Sequence, residues 1–381
     1  MACAMPYPIA PGRFAMQAAL VQEMPAARSL EAPEPDHASP ACRDQLGRPL
    51  RDLRLSVIDQ CNFRCTYCMP KERFGRDYPF LSPEQRLSDA ELLRIVRAFV
   101  GLGVEKVRLT GGEPLLRKGI ESLVERIAAM RTLDGRQVEV AMTTNGSLLA
   151  RKARSLRDAG LGRVTVSLDS LDDQIFRAMN DVDFPVGRVL EGIDAAIAAG
   201  LAPVKVNCVV ERGTNDAQVL PLVEHFRGSD VTLRFIEYMD VEGPSGWSQS
   251  RVVPSDEIRG MVERAHALLP VTRRDGETAS NYLLADGSLK LGFISSVSHP
   301  FCGDCTRARV SVDGRLYLCL FATSSVDLRQ HLGAARPDEA VADAVRQAWQ
   351  ARGDRYSELR ADRLASGKRQ YPTVRMSLVG G

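Results

Sequence analysis

The chain of 381 residues is long enough for one large α/β domain with a smaller addition. Its composition, 44% hydrophobic and 26% charged, is that of an ordinary globular protein. No run of about 18 uncharged apolar residues occurs, which excludes a predicted transmembrane helix. The net charge of +2 gives no bulk attraction to nucleic acid or to a membrane surface. Any anion site must therefore arise from local clustering of cationic side chains.

Residues 1–44 are rich in Ala and Pro and match no targeting signal. They lack the basic start and the continuous apolar core of a secretory signal. Acidic residues, among them Glu23, Glu31 and Glu34, argue against a mitochondrial transit peptide. We predict that 1–44 form a flexible extension and that the protein is cytoplasmic and bacterial.

From Asp52 to about Asp240, short β-like runs alternate with amphipathic helical stretches. The predicted strands are Leu53–Ile58, Lys106–Thr110, Val138–Thr143, Arg163–Leu168, Val204–Val210 and Val231–Tyr238. The predicted helices are Ser88–Val100, Gly119–Arg131, Leu149–Ala159, Arg188–Ala199 and Asn215–Phe226. Ser88 and Glu91 have the spacing of a capping box. Six βα repeats predict a parallel sheet with helical crossovers, either curled as a partial barrel or open as a doubly wound sheet.

Five of the six predicted strands alternate apolar with polar side chains, so each has one polar face. The polar positions include Arg54, Arg108, Thr143, Ser167 and Lys205, and Asn145, Asp169 and Asn207 lie on the same side without an assigned role. A polar face is costly in the dry core of a doubly wound sheet but suits a curved sheet around a charged ligand. We therefore predict a partial, TIM-like (βα)6 barrel. A half-solvated sheet is less favoured because parallel sheets are normally covered on both faces.

The regular alternation ends near Pro244, where Pro, Gly and charged residues become more frequent. We place a domain change there, with the barrel over 45–244 and a C-terminal domain over 245–381. The second domain contains a predicted helix over Asp338–Arg352 and ends in Gly380-Gly381.

Cys61, Cys65 and Cys68 follow the first predicted strand with the spacing C-x3-C-x2-C. Without a secretory signal, grouped thiols are expected to bind metal rather than to form disulfides. Three thiolates can hold three irons of a [4Fe–4S] cube and leave the fourth iron open, unlike the four-thiolate clusters of ferredoxins. A structural zinc site needs four ligands, and neither a His nor a fourth Cys lies nearby. The spacing favours an iron–sulfur cluster.

Cys302, Cys305 and Cys319 form a second group with the spacing C-x2-C-x13-C. His299 could complete a Cys3His zinc site, so this group alone leaves zinc open. The favoured interpretation is a second [4Fe–4S] cluster, again with one open iron.

Arg307 and Arg309 follow the second group at i, i+2 spacing. In an extended segment they project from one face as a fork for phosphate oxygens. A surface salt bridge is the alternative for either arginine alone. Two arginines beside a metal site favour an anionic substrate.

The first cysteine group, with Tyr67 before its last member, resembles the radical S-adenosylmethionine (SAM) superfamily. Gly111-Gly112-Glu113-Pro114 follows the second strand and is similar to the GGEP motif of that superfamily. The resemblance implies that the open iron binds SAM, and that one electron cleaves SAM into methionine and a 5′-deoxyadenosyl radical. It also implies a radical SAM partial barrel with a C-terminal iron–sulfur-binding extension.

From about Leu46 to Gly381 the chain resembles the GTP 3′,8-cyclase family, also called molybdenum cofactor biosynthesis protein A. The supporting segments are DLRLSVIDQCNFRCTYCMP, VRLTGGEPL, MTTNG, VSLDS, VKVNCVV, RFIEYMD, FCGDCTRARV and the final Gly-Gly. The resemblance implies a lyase in which the radical takes the 3′ hydrogen of GTP and C3′ attacks guanine C8. The implied product is (8S)-3′,8-cyclo-7,8-dihydroguanosine 5′-triphosphate, an intermediate of molybdopterin biosynthesis.

The resemblance also implies roles for individual residues. The implied catalytic residues are Cys61, Cys65, Cys68, Arg307 and Arg309. The implied SAM contacts are Tyr67, Gly112, Ser167 and Met239, with core packing as the alternative for Met239. The implied GTP contacts are Arg54, Arg108, Thr143, Lys205, Arg307 and Arg309, the last two on the triphosphate. The implied cluster ligands are Cys61, Cys65 and Cys68 for the first [4Fe–4S] cluster and Cys302, Cys305 and Cys319 for the second.

Two other functions are weighed against this interpretation. A radical SAM peptide maturase with an auxiliary cluster normally needs more C-terminal cysteines and a peptide-recognition module. A zinc-bearing module without enzymatic activity does not explain six βα repeats with polar strand faces. The cyclase interpretation implies an external electron donor and, downstream, a cyclic pyranopterin monophosphate synthase. The oligomeric state is left open, with a homodimer among the options.

Overall fold

Eight parallel strands form the centre of a twelve-stranded sheet in the part of the chain that the structure describes. The structure is a computed structural model that describes residues 42–241, 247–274, 276–322, 324–359 and 375–380. These residues belong to one compact unit over 40–381. The predicted flexible extension over 1–44 lies almost wholly outside the described residues, as does Gly381.

The order of strands in the sheet is β12-β11-β10-β1-β2-β3-β4-β5-β6-β9-β8-β7. The six strands of the predicted repeats are β1 Asp52–Ser56, β2 Lys106–Thr110, β3 Glu139–Thr144, β4 Arg163–Ser167, β5 Val204–Val210 and β6 Val231–Glu237. The later strands are β7 Leu268–Val271, β8 Ser280–Leu284, β9 Lys290–Ile294, β10 Arg307–Val310, β11 Arg315–Tyr317 and β12 Val326–Asp327. All six predicted strands are therefore found, with ends that differ by two residues at most.

Most of the described helices cover the outer face of the sheet, whereas the short C-terminal turn lies beside the inner cavity. They are α1 Asp89–Gly101, α2 Ile120–Ala128, α3 Leu149–Asp158, α4 Asp173–Asn180, α5 Val186–Ala198, α6 Val219–Phe226, α7 Ser255–Glu263, α8 Pro337–Gln350 and a terminal turn, α9 Met376–Val379. The predicted capping box is present, because Ser88 Oγ accepts the N–H of Glu91 and Glu91 accepts the N–H of Ser88. Helices α4 and α7 were not predicted; α4 is only eight residues long and follows the cap residue Asp172. No described helix is long and apolar enough to cross a membrane.

The sheet is curved, as the polar strand faces predicted. One cavity is lined by side chains from all eight parallel strands, from Arg309 on β10 through Arg54 on β1 to Ile294 on β9. In a flat sheet of eight strands, which lie about 4.8 Å apart, the two outermost strands would be too far apart to line one cavity. The apolar faces pack on the helices, where Leu53 and Leu55 are fully buried. The partial barrel is confirmed.

The region after Pro244 adds strands to both sides of the six predicted ones. Strand β9 pairs in parallel with β6, and β10 pairs in parallel with β1. Helix α8 matches the predicted C-terminal helix. We retain 45–244 and 245–381 as a proposed division of the chain.

Candidate active site

Three arginines form a row across the inner face of the sheet. Arg54 on β1 lies opposite Arg309 on β10 and Arg108 on β2. Facing positions on neighbouring strands are about 5 Å apart, so like charges there repel each other. Burial lowers the pKa of Arg54, and the adjacent Arg309 and Arg108 lower it further. Such a row is stable only with an anion in front of it.

The remaining strands add cations and neutral polar groups to the same wall. Arg108 donates to the hydroxyls of Thr143 and Thr165, at 3.3 and 3.1 Å. Arg234 on β6 donates to Asn207 Oδ1 at 2.9 Å, and burial lowers the pKa of Arg234 to about 9. The acceptors of these hydrogen bonds are neutral. They therefore fix the guanidinium groups in place without compensating the positive charges.

The inner space consists of two chambers that share Arg54, Arg108, Arg234 and Arg307. The larger chamber has an empty volume of about 1110 Å³ and contains the second cysteine group. The smaller has an empty volume of about 820 Å³ and is lined mainly by charged side chains, including Lys205. The expected GTP contacts therefore line these two adjoining chambers.

Cys302, Cys305 and Cys319 lie together on the wall of the larger chamber. Burial raises the pKa of Cys305, but Arg307 and Arg352 outweigh it and bring the value to about 6. Arg307 Nη2 donates to Cys305 Sγ at 3.3 Å. A thiol with this pKa is largely ionised at neutral pH, and the thiolate is the form that binds metal.

The zinc alternative for this group requires four ligands around one point. Within the described residues, no three His, Cys, Asp or Glu side chains are placed to hold one metal ion. His299 instead lies with Nδ1 at 3.1 Å from Ser298 Oγ. In a cube each thiolate binds a different iron atom, so the thiols of a cluster need not converge on one point.

Cys61, Cys65 and Cys68 lie in the loop after β1. Burial raises the pKa of Cys65, and the neighbouring Cys68 and Cys61 thiols raise it further. Cys61 Sγ accepts the backbone N–H of Phe63 at 3.4 Å and the amide of Asn145 at 3.7 Å. Donors of this kind stabilise a thiolate ligand.

The Gly111-Gly112 turn lies directly against this loop. A Cβ at Gly111 would be 2.2 Å from the carbonyl oxygen of Ile58, and one at Gly112 would be 2.2 Å from that of Gln60. Glu113 is fully buried, and its carboxylate accepts hydrogen bonds from Thr144 Oγ1 and from the N–H groups of Leu115 and Asn145. The motif thereby joins the loop of the first cysteine group to the end of β3.

The expected SAM contacts lie around the ends of the strands. Tyr67 donates its hydroxyl to Asp169 Oδ2 at 2.6 Å, just beyond β4. Ser167 ends β4 and is half-buried, as is Gly112. Met239 follows β6 and lines the larger chamber rather than the apolar core.

Several residues on the cavity wall had no predicted role. Thr165 lies two residues before Ser167 and so on the same face of β4. Arg234 alternates with the apolar residues of β6. Asn207 was placed on the correct face without a function. Arg352 carries no local signal, since it follows α8 and reaches Cys305 only through the fold.

The C-terminal turn lies against the arginine row. Arg309 donates to the carbonyl oxygen of Gly380. Gly380 is buried with φ of +72°, and a Cβ there would be 2.1 Å from Thr110 Cγ2. Met376 lines the larger chamber. The penultimate residue therefore lies beside the site.

Comparisons with known proteins agree with this arrangement. The Radical SAM superfamily matches residues 55–226, and Molybdenum Cofactor Synthesis C matches residues 231–358. The solved structure of Streptococcus suis SuiB bound to S-adenosylmethionine has a TM-score of 0.55 at 14% identity, over 80% of this chain and 68% of that chain. That likeness concerns the fold alone.

Close relatives cover almost the whole chain. A GTP 3′,8-cyclase of Xanthomonas axonopodis pv. citri (strain 306) is 53% identical over 89% of this chain and 98% of its own length. One from Acidothermus cellulolyticus is 48% identical over 84% of this chain and 88% of its own length. One from Staphylococcus aureus (strain MRSA252) is 43% identical over 89% of this chain and 98% of its own length. The chain belongs to the GTP 3′,8-cyclase family of the radical SAM superfamily.

Proposed function

We propose that this chain converts GTP to (8S)-3′,8-cyclo-7,8-dihydroguanosine 5′-triphosphate in molybdenum cofactor biosynthesis. The observation that carries the proposal is the row of Arg309, Arg54 and Arg108 in one cavity with the second cysteine group. Buried guanidinium groups without a carboxylate partner require an anion from outside the chain. A nucleoside triphosphate supplies that charge.

Two [4Fe–4S] clusters fit the two cysteine groups. Cys61, Cys65 and Cys68 would hold the first and would leave one iron for SAM. Cys302, Cys305 and Cys319 would hold the second, which would leave one iron without a protein ligand to bind the guanine base. When bound, SAM and the reduced first cluster would supply the 5′-deoxyadenosyl radical, which takes the 3′ hydrogen of GTP and becomes 5′-deoxyadenosine. C3′ then bonds to C8, and one electron from the external donor and one proton from solvent complete the dihydro product.

The chain itself contributes position and exclusion of water. Tyr67, Gly112, Ser167 and Met239 surround the proposed SAM site. The cationic wall would hold the phosphates, while the second cysteine group fixes the base at the other end of the same cavity. Clamping GTP at both ends keeps C3′ in place for a reaction that depends on short distances.

A peptide maturase is the second enzymatic candidate, and the fold alone does not separate the two. The cavity wall favours the nucleotide, because Arg54, Arg108, Lys205 and Arg234 present more charge than a peptide backbone could neutralise. An external electron donor and a downstream cyclic pyranopterin monophosphate synthase complete the proposed pathway. The bacterial cytoplasm remains the predicted location, and a homodimer remains one option.

Product analysis tests the function directly. Reconstituted protein is incubated without oxygen with SAM, reductant and GTP, and the products are identified by mass. The cyclised triphosphate should form together with 5′-deoxyadenosine. Cleavage of SAM with unaltered GTP would refute the cyclase assignment, and one or two zinc ions in place of about eight irons per chain would refute the radical chemistry.

Replacing Arg307 or Arg309 by alanine is expected to weaken GTP binding and to leave both clusters in place. A hydrogen bond to a charged group contributes about 1.5–3 kcal/mol, which corresponds to roughly tenfold to hundredfold in Kd. Anaerobic equilibrium dialysis measures Kd, and iron analysis reports the clusters. Arg188→Ala on the exposed face of α5 is the control. Unchanged GTP affinity in either variant would count against a phosphate contact.

The lowered pKa of Lys205 predicts that GTP binding depends on pH. Burial and the nearby cations Arg234 and Arg163 lower the pKa of Lys205 from 10.5 to about 7, although Glu277 acts in the opposite direction. A bound triphosphate favours the protonated amine and raises this pKa, so binding takes up a proton above pH 7. From about pH 7 to 8.5 the GTP affinity should fall by up to roughly tenfold per unit.

Lys205→Arg provides the matched control, because a guanidinium stays charged over this range. The charge of GTP itself is nearly constant there, since the last phosphate pKa is near 6. Dialysis of both proteins at several pH values gives the slope of log Kd for GTP against pH. This slope should be clearly smaller for Lys205→Arg. Equal slopes would show that another group titrates.

A further inference from the structure

The smaller chamber contains more positive charge than its own carboxylates compensate. Four cations on its wall, Arg54, Arg108, Lys205 and Arg234, have no carboxylate within 4 Å among the described residues. Their charges act on one another, since Arg234 and Arg108 both disfavour the protonated form of Lys205. A chamber of this kind is costly to fold unless an anion of similar charge occupies it.

The described carboxylates that line the chamber are already engaged. Asp52 forms an ion pair with Lys106 and accepts a hydrogen bond from Thr306 Oγ1 at 2.9 Å. Glu277 Oε2 accepts hydrogen bonds from Asn281 Nδ2 at 2.8 Å and from the backbone N–H of Arg274 at 3.3 Å. Mg²⁺ in nucleotide sites is normally held by one or two carboxylates together with the phosphates. In the described part of the chain, the lining of the chamber holds seven cationic side chains and only these two carboxylates.

The charge of free GTP and the charge of its Mg²⁺ complex differ by two. Two phosphates with one charge each and a terminal phosphate of about −2 give the free triphosphate about four negative charges at neutral pH. These four cations, together with Arg307 on the same wall, match the free anion more closely than the magnesium complex, which brings only about half of that charge. A divalent cation on the phosphates would also lie among guanidinium groups that repel it.

We propose that this site binds its nucleoside triphosphate as the metal-free anion, and that Mg²⁺ competes with the chain for the phosphates. The inference rests on the proposed function, since it assumes that the triphosphate lies along the arginine row and reaches into the smaller chamber. It assigns to Arg54, Arg108, Lys205 and Arg234 the task that a divalent cation performs in most nucleotide sites.

Equilibrium dialysis of GTP against the anaerobically reconstituted full chain tests the proposal. Binding is measured at constant pH with EDTA and then with MgCl2 up to about 5 mM, and KCl keeps the ionic strength equal. The apparent Kd should rise by roughly tenfold or more, in proportion to the fraction of GTP removed as its magnesium complex. An apparent Kd that stays the same or falls with Mg²⁺ overturns the inference.

Glu277→Gln is the matched variant, because it removes a negative charge from the chamber and keeps the shape of the side chain. It should bind GTP more tightly than the parent chain and should keep the full Mg²⁺ effect. A variant that loses a Mg²⁺-dependent gain in affinity would instead identify Glu277 as a metal ligand and would overturn the inference. GTP that binds under neither condition refutes the proposed function, whereas binding that tolerates Mg²⁺ refutes only the metal-free form.

Discussion

Replacing Cys319 by alanine is expected to abolish cyclisation while SAM cleavage continues. Cys319 lies with Cys302 and Cys305 on the cavity wall, whereas the first cysteine group occupies the separate loop after β1. Burial raises the pKa of Cys319 to about 11, and Cys305 contributes to the rise. With one ligand missing, a cube at this group would retain only two thiolates. The base of GTP would then lose its anchor.

Iron content and the two products separate this outcome from general unfolding. Iron should fall from about eight to about four per chain, 5′-deoxyadenosine should still form, and no cyclised triphosphate should be detected. Cys42→Ala is the control, since Cys42 is a half-buried cysteine outside both groups. Preserved cyclisation in Cys319→Ala would contradict a cluster that holds the substrate. Loss of all iron would mean that the two sites do not form independently.

The sequence predicted the strands that alternate cleanly and was ambiguous where alternation is broken. Strand β6 is the ambiguous case, because apolar Ile236 faces the cavity and acidic Glu237 faces the covered side. Glu237 is fully buried there, and its carboxylate accepts the N–H groups of Ser255, Val297 and Ser298. A buried carboxylate held by backbone donors is stable, but its partners come from distant segments. Periodicity alone could not identify its face.

The candidate site likewise has residues that the sequence pattern places correctly and residues that it could not place. The inward faces of Arg54 and Arg108 follow from alternation within their own strands. The position of Arg309 opposite Arg54 requires β10 to pair with β1, which joins residues more than 250 positions apart. The Arg51 and Asp52 N–H groups donate to the Thr306 carbonyl at this junction. Gly380 reaches the same row from the end of the chain. Long-range pairing of this kind leaves no local pattern, and the sequence indicated it only through the resemblance to a family.

Gly112→Ala is expected to remove the first cluster and all SAM cleavage. A Cβ at Gly112 would lie 2.2 Å from the carbonyl oxygen of Gln60, 2.4 Å from its carbon and 2.9 Å from the N–H nitrogen of Cys61. These are backbone atoms that no rotamer change can move away. The hydrogen bond from the Glu113 N–H to the Gln60 carbonyl, 2.9 Å long, fixes the same contact from the other side. The clash must therefore displace the loop that carries Cys61.

Iron analysis, SAM cleavage and thermal unfolding test this together. The variant should hold about four irons per chain, those of the second site, and should form no 5′-deoxyadenosine. Overpacking typically costs about 1–3 kcal/mol, so a lower Tm is expected while the fold remains. Gly187→Ala in α5 is the control, because no described atom lies within 4 Å of its Cβ position. That change should be neutral or stabilising by up to about 1 kcal/mol. Full iron and wild-type SAM cleavage in Gly112→Ala would mean that the Cys61 loop adapts to a side chain, and that the close approach of the two turns does not position the first cluster.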